Sequence, residues 1–490
     1  MTTSAARLLF PALLLLAQPV ISGAEPLELE ECRISIGPGS PGTKARCGTM
    51  LRPENPDDSG SPQIRIRVAV VPALNLSPAT DAIVPIAGGP GQGTVEFYLT
   101  ARAAFEPLRR DRDILLVDQR GTGESATMDC PIDDEALLFE TEFGIEEIIA
   151  YTAECLDSLP HDPRWFTTSV AVTDLEAVRA ALGYTALNLY GVSYGSRVAQ
   201  HFARRYPEVT RSVIIDGVVP PQISLGPEIA TMSQKAVDNI LARCAQDEAC
   251  AAAFPDIDAT FARVVAELRE APVEVTAPHP NTGRMEAVRF GIGQFAGAVR
   301  LLVYNANTIA LLPLLVHEAG QGNFGPLASQ FMLTAIAMRD ALAIGMHNSV
   351  MCTEDVPFID RASVDRESIE ASYMGAFQLE TLEAMCEIWP SGPLDPEFKV
   401  PVDSDIPFLL LSGDADPITP PRYAEMAAVD LRTATHLIGK QQGHGQIVVG
   451  CMGRIVSDFV DTRDPLSLDT ACMERSFVTP FFLDFSGPAP

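Results

Sequence analysis

The stretch Leu187-Asn188-Leu189-Tyr190-Gly191-Val192-Ser193-Tyr194-Gly195 decides the fold. A short apolar run of strand character, residues 187–190, leads straight into Gly-Val-Ser-Tyr-Gly, and a helical segment follows. A serine at a sharp strand-to-helix turn is held in a strained backbone conformation that exposes its hydroxyl. Small neighbours two positions to either side let helix and strand approach closely. The start of a helix also favours developing negative charge. A bare five-residue match also fits an ordinary glycine-rich turn, so its weight comes from what flanks it.

Working outward, Val172, Leu175, Val178 and Leu182 recur at helical spacing and Gly183 follows as a stop, which predicts a helix over 170–182. Residues 65–71 alternate as a half-buried strand does, and the runs 82–86 and 113–117 are apolar and end in glycine-rich turns. Strand, turn and helix keep alternating through 212–216, the pattern of a parallel sheet covered by helices. From 221 to 400 long amphipathic segments dominate (228–246, 258–269, 294–303), with one hairpin-like stretch between 273 and 290. This reads as a largely helical insertion into a core that spans 25–220 and resumes at 401–490. The resumed core carries strands at 407–411 and 434–438 and a helix from 447.

A serine hydroxyl is a poor nucleophile until a histidine takes its proton and a carboxylate fixes that histidine's tautomer. In chain order after Ser193, the candidates are Asp416, just past the strand 407–411, and His444 in Gly443-His444-Gly445, past the strand 434–438. Asp414 shares the turn with Asp416 and is its rival. The other six histidines lack this placement and read as surface or packing residues. Gly88-Gly89-Pro90-Gly91 follows the strand 82–86, where such a sheet places the loop that gives a backbone N–H to an oxyanion hole. Asp118 and Arg120 flank another strand end, and we expect them to brace the surrounding loops by a charge-assisted hydrogen bond.

Composition narrows the partners and the compartment. The chain has 490 residues and a formal net charge of -29, so it would repel a nucleic-acid backbone. Arg7, the apolar stretch 8–20 and small residues at Ser22 and Ala24 predict a secretory signal over 1–24. The stretch is too short for a membrane span, and Pro11 and Pro19 interrupt it. The apolar region 299–316 contains Arg300, Asn305 and Asn307, which predicts a buried helix. Ten cysteines form an even set that fits an oxidising compartment, periplasmic or extracellular. Many pairings are open, sequential pairing gives plausible loops, and no two cysteines have the spacing of a zinc site.

Four motifs together carry a resemblance: GGPG at 88–91, DQRGTGES at 118–125, GVSYG at 191–195 and GDADPITPP at 413–421, with His444 beyond. The sequence resembles the secreted branch of the proline iminopeptidase and tripeptidyl aminopeptidase family of α/β-hydrolases. That likeness implies an α/β-hydrolase fold, a mostly parallel sheet flanked by helices with a largely helical cap. It implies Ser193 as nucleophile, Asp416 as acid and His444 as base, with the N–H groups of Gly89 and Tyr194 as oxyanion donors and no metal or cofactor. It also implies peptide substrates whose free amino terminus meets a carboxylate of the cap. Glu354, beside Cys352, is the candidate. One departure is Ala87, where many members have histidine before the glycine loop, which bears on substrate preference more than on activity. The expected activity is that of an exported serine exopeptidase acting at peptide N-termini. A carboxylic-ester hydrolase is the alternative, because the triad does not distinguish ester from amide. A non-catalytic binding module would have lost a triad member, and serine at 193 disfavours an aspartate-nucleophile hydrolase.

Overall fold

A computed structural model describes residues 27–37, 39–131, 144–475 and 477–488. The expected signal segment 1–24 lies outside the described residues. The strands that organise the chain are β1 (Glu30–Ile34), β2 (Thr43–Pro53), β3 (Gln63–Val71), β4 (Ala82–Ile86), β5 (Ile114–Val117), β6 (Leu187–Val192), β7 (Thr210–Asp216), β8 (Val273–Pro278), β9 (Met285–Phe290), β10 (Phe408–Gly413) and β11 (Ala434–Gly439). Nine of them form one sheet in the order β1-β2-β3-β5-β4-β6-β7-β10-β11. From β5 to β11 every pairing is parallel, whereas β1, β2 and β3 join as an antiparallel edge.

The parallel strands β4, β5, β6, β7 and β10 are buried on both faces, as their apolar runs require, whereas the edge strand β11 is only partly buried. Val84, Leu189, Val213 and Leu410 face one apolar cluster, which includes Val172, Val198 and Phe202 from the helices Thr168–Leu182 and Tyr194–Arg205. Ile83, Tyr190, Ile214 and Leu411 face the other, with Phe105 and Phe459. All seven expected core strands and the helix 170–182 are present, with ends shifted by at most two residues. The final helix begins at Met452 rather than 447. The strands β1 and β2 were not anticipated.

Between β7 and β10 the chain forms helices and the antiparallel pair β8–β9, around a separate apolar cluster that includes Val237, Phe261, Phe295, Val299 and Leu315. The apolar region 299–316, expected as one helix, is broken into Ile292–Leu302, Ala306–Ile309 and Leu312–Gly320. Asn305 restarts the helix by accepting the N–H of Asn307, 2.8 Å away. The break leaves the Tyr304 carbonyl outside any helix, where it accepts the N–H of His444 at 2.7 Å.

All ten cysteines are paired, and in sequence order: Cys32–Cys47, Cys130–Cys155, Cys244–Cys250, Cys352–Cys386 and Cys451–Cys472. Among the described residues no helix is long and apolar enough to cross a membrane.

Candidate active site

Ser193 sits between β6 and the helix Tyr194–Arg205 with φ 56° and ψ -127°, a backbone conformation that costs a non-glycine residue on the order of 1–3 kcal/mol. The two flanking glycines make the turn possible. A Cβ on Gly191 would stand 2.2 Å from the Gly195 carbonyl oxygen, and one on Gly195 would stand 2.3 Å from that of Ile86. The turn is held from the neighbouring strand, because the Ser193 N–H donates to the Asp216 carbonyl at 2.9 Å. Tyr194 is the first helical residue, so its N–H has no carbonyl one turn earlier to bond.

The glycine loop after β4 lies against this elbow. A Cβ on Gly88 would be 3.0 Å from Ser193 Cβ and 3.6 Å from its Oγ. Gly89 adopts φ 108°, and the Gly89–Pro90 peptide is cis. The loop is clamped from the far side by residues of the segment between β7 and β10. Ala343 N–H donates to the Gly91 carbonyl at 3.1 Å, and His347 Nδ1 lies 3.3 Å from the Pro90 carbonyl.

Asp416 and His444 meet directly, with 2.7 Å between Oδ2 and Nδ1. Burial pushes the Asp416 carboxyl up, but the imidazolium charge and the hydrogen bonds from His444 and Thr419 outweigh it and hold the group below its ordinary range. Burial depresses His444, and the Asp416 carboxylate overcomes that effect and raises it above 6.5. Asp416 also accepts the N–H groups of Ile418 and Thr419, each at 2.9 Å. Such a carboxylate is fixed in place and presents one lone pair to the imidazole. The rival Asp414 is exposed and accepts the Gln441 N–H instead. No hydrogen bond joins Ser193 Oγ to His444 here; in unliganded sites this contact often tightens only when substrate binds.

Two residues missed from sequence hold the pieces together. Asp216, wholly buried at the end of β7, takes the N–H groups of Gln446 and Ile447 and the Tyr190 hydroxyl on its carboxylate, while its carbonyl holds Ser193. It therefore fixes the loop after His444 relative to the elbow. Its signal in the sequence was an acidic residue directly after the apolar run Val213-Ile214-Ile215. Thr419 donates its hydroxyl to Asp416 at 2.7 Å and stands 3.0 Å from His444 Nδ1.

One expectation is corrected, and one further candidate is located. Asp118 and Arg120 do not pair with each other. Arg120 forms a buried fork on Asp174 at 2.7 and 3.0 Å, and Asp118 accepts the Val95 N–H at 2.9 Å, at the start of the helix after the glycine loop. Both lie past the end of β5, where the chain has left the pleat, and each side chain turns to a different partner. Glu354 was expected to face a substrate ammonium. It is fully buried, and both its oxygens are occupied by Thr168, whose N–H lies 2.7 Å and hydroxyl 2.9 Å away.

Comparison with known proteins agrees with this architecture. Residues 81–281 match the family described as alpha/beta hydrolase fold, and residues 371–472 match that described as TAP-like protein. The chain has the α/β-hydrolase fold, and its C-terminal part is similar to TAP-like proteins. It is 26% identical to the serine protease Hip1 of Mycobacterium tuberculosis, over 85% of this chain and 84% of that protein. Two other similarities cover less: 27% identity to the putative hydrolase YuaR of Escherichia coli over 46% of this chain, and 28% to a tripeptidyl aminopeptidase of Streptomyces coelicolor over 36%. The matched stretch is about half of YuaR (49%) and about a third of the Streptomyces protein (35%).

Proposed function

We propose that this chain is an exported serine aminopeptidase that releases residues from the N-termini of peptides through an acyl-enzyme on Ser193. The observation that carries the reading is the Asp416–His444 pair, fixed to the elbow of Ser193 through Asp216 and faced by the glycine loop. In this mechanism Ser193 Oγ attacks the scissile carbonyl while His444 Nε2 takes its proton. Asp416 keeps Nδ1 protonated and stabilises the imidazolium that forms. The N–H groups of Gly89 and Tyr194 receive the oxyanion, and His444 then protonates the leaving amine. Water repeats the sequence on the acyl-enzyme and frees the acid. Five disulfides support an oxidising compartment. The names of two relatives, a serine protease and a tripeptidyl aminopeptidase, support peptide bonds as the target and the N-terminus as the point of attack.

The test is a panel of prolyl-, alanyl- and tripeptidyl-anilides, each free and N-acetylated, beside short acyl esters. Cleavage of free-amino anilides that acetylation abolishes is the expected result. Equal hydrolysis of free and acetylated peptides, or turnover of esters alone, would replace the aminopeptidase reading with an endopeptidase or an esterase.

A further inference from the structure

A continuous line of buried polar groups runs from Glu354 to the elbow. Glu354 lies in the turn Met351–Asp355, with Cys352 joined to Cys386. Thr168 starts the helix Thr168–Leu182 and donates to both Glu354 oxygens. The Thr168 hydroxyl is also 2.6 Å from the Tyr194 hydroxyl, which in turn lies 2.9 Å from Gln119 Nε2. Glu354, Thr168 and Tyr194 are each 2% exposed or less.

Chemistry gives this line one direction. An ionised carboxylate only accepts, so Thr168 must spend its single hydroxyl proton on Glu354. Its oxygen then accepts from Tyr194, and the Tyr194 oxygen accepts from the Gln119 amide. Tyr194 thereby has two roles in one residue. Its phenol ends the line, and its main-chain N–H stands beside Ser193 at the helix start.

We propose that Glu354 and Thr168 are positioning residues for acyl transfer: they orient the Tyr194 phenol, and with it the main-chain N–H that receives the oxyanion. This rests on the serine-hydrolase reading above. It also gives Gln119, in the 118–125 motif, a definite task as the donor that completes the phenol's shell.

The surroundings make the line sensitive to protonation. Glu354 is faced by Arg197, Asp355, Lys399 and Tyr194. Arg197 is committed elsewhere, with Nη1 2.9 Å from both Asp355 oxygens, and Lys399 lies 3.5 Å from the same carboxylate. Burial therefore dominates at Glu354 and pushes its carboxyl up to about 7. Above that pH the carboxylate dictates the direction of the line. Below it, the added proton lets a carboxyl O–H donate toward Thr168, and the order that holds Tyr194 is lost.

The experiment compares kcat and KM for p-nitrophenyl acetate across pH 5.5–9 in the full chain and in Thr168→Val, Thr168→Ser, Tyr194→Phe and Glu354→Gln. Thermal melts verify folding, and a fluorophosphonate followed by peptide mapping identifies the reactive serine. Thr168→Val should lose roughly ten- to a hundredfold in kcat with KM within about twofold, since a misaligned donor is felt only as charge develops. Thr168→Ser should restore most of it. Adding Tyr194→Phe to Thr168→Val should cost little more, because both break one line. The acidic limb of log kcat should be steeper than one proton in the wild type and one proton in Glu354→Gln. A wild-type kcat in folded Thr168→Val, or a one-proton limb in both proteins, overturns the positioning role while Ser193 is still labelled. Absence of label on Ser193 in the wild type overturns the serine reading, and this role with it.

Discussion

Asp416 and Glu354 are carboxylates buried to a similar degree in two regions that behave differently. At the strand ends of the sheet, Asp416 faces an imidazole and stays below its ordinary range. In the segment between β7 and β10, Glu354 sits beside an arginine already bound to Asp355, and burial lifts it to about 7. Burial alone therefore does not fix ionisation; the availability of an opposite charge does. The sheet region keeps its acid permanently charged to hold a histidine. The other region holds a carboxylate that titrates near neutrality and touches the elbow only through neighbours.

The comparison can be broken at either end. The largest effect belongs to the sheet region. Asp416→Asn should lower kcat about 10⁴-fold at neutral pH with the fold intact, because the amide favours the wrong imidazole tautomer. Circular dichroism alongside steady-state kinetics checks this, and a loss below tenfold would show that another acid orients His444.

Next in size is the staple beneath Glu354. Replacing Cys352 and Cys386 by serine opens a loop with a sequence separation of 34 residues, which should cost about 3–4 kcal/mol of stability. Activity of the folded fraction at low temperature should fall much less than in Asp416→Asn. A denaturant titration paired with kinetics separates the two effects.

The smallest effect is a shift along the pH axis. His444 must be neutral to accept the serine proton, and its value is raised, so activity should fall as pH drops through a point above 6.5. The sign for stability is opposite. The charged His444–Asp416 pair stabilises the fold fully below 6.5, and that contribution is lost as pH rises through the raised folded value. In Asp416→Asn the His444 step should move to lower pH and leave the Glu354 step in place, so the limb becomes shallower. A limb unchanged in both position and steepness would assign the His444 step to another group.

Much of the sheet was legible because its signals are local. The flanking glycines of Ser193, the apolar runs of β4 and β10 and the stop at Gly183 each act within a few residues. Sequence favoured Asp416 and kept Asp414, two residues away in the same turn, as its rival; which side chain turns inward to His444 is visible only in the structure. The strands β1 and β2 were missed because they form an edge whose residues alternate between partial burial and exposure, without the continuous apolar run of a central strand. Glu354 was noticed because of its cysteine neighbour, but its partner Thr168 is 186 positions away and no periodicity links them. Asp118 and Arg120 were read together because they are close in sequence, but both lie in the turn after β5, where Arg120 reaches Asp174, 54 positions away, and Asp118 reaches the Val95 N–H.

The central claim is that Ser193 carries the acyl group. The most direct measurement is mass-spectrometric mapping of the full chain after reaction with a fluorophosphonate, beside Ser193→Ala. A single adduct on the peptide containing Ser193, with no adduct and a loss of activity of several orders of magnitude in the folded Ser193→Ala protein, is the predicted result. An adduct on any other residue, or substantial activity remaining in Ser193→Ala, would contradict it.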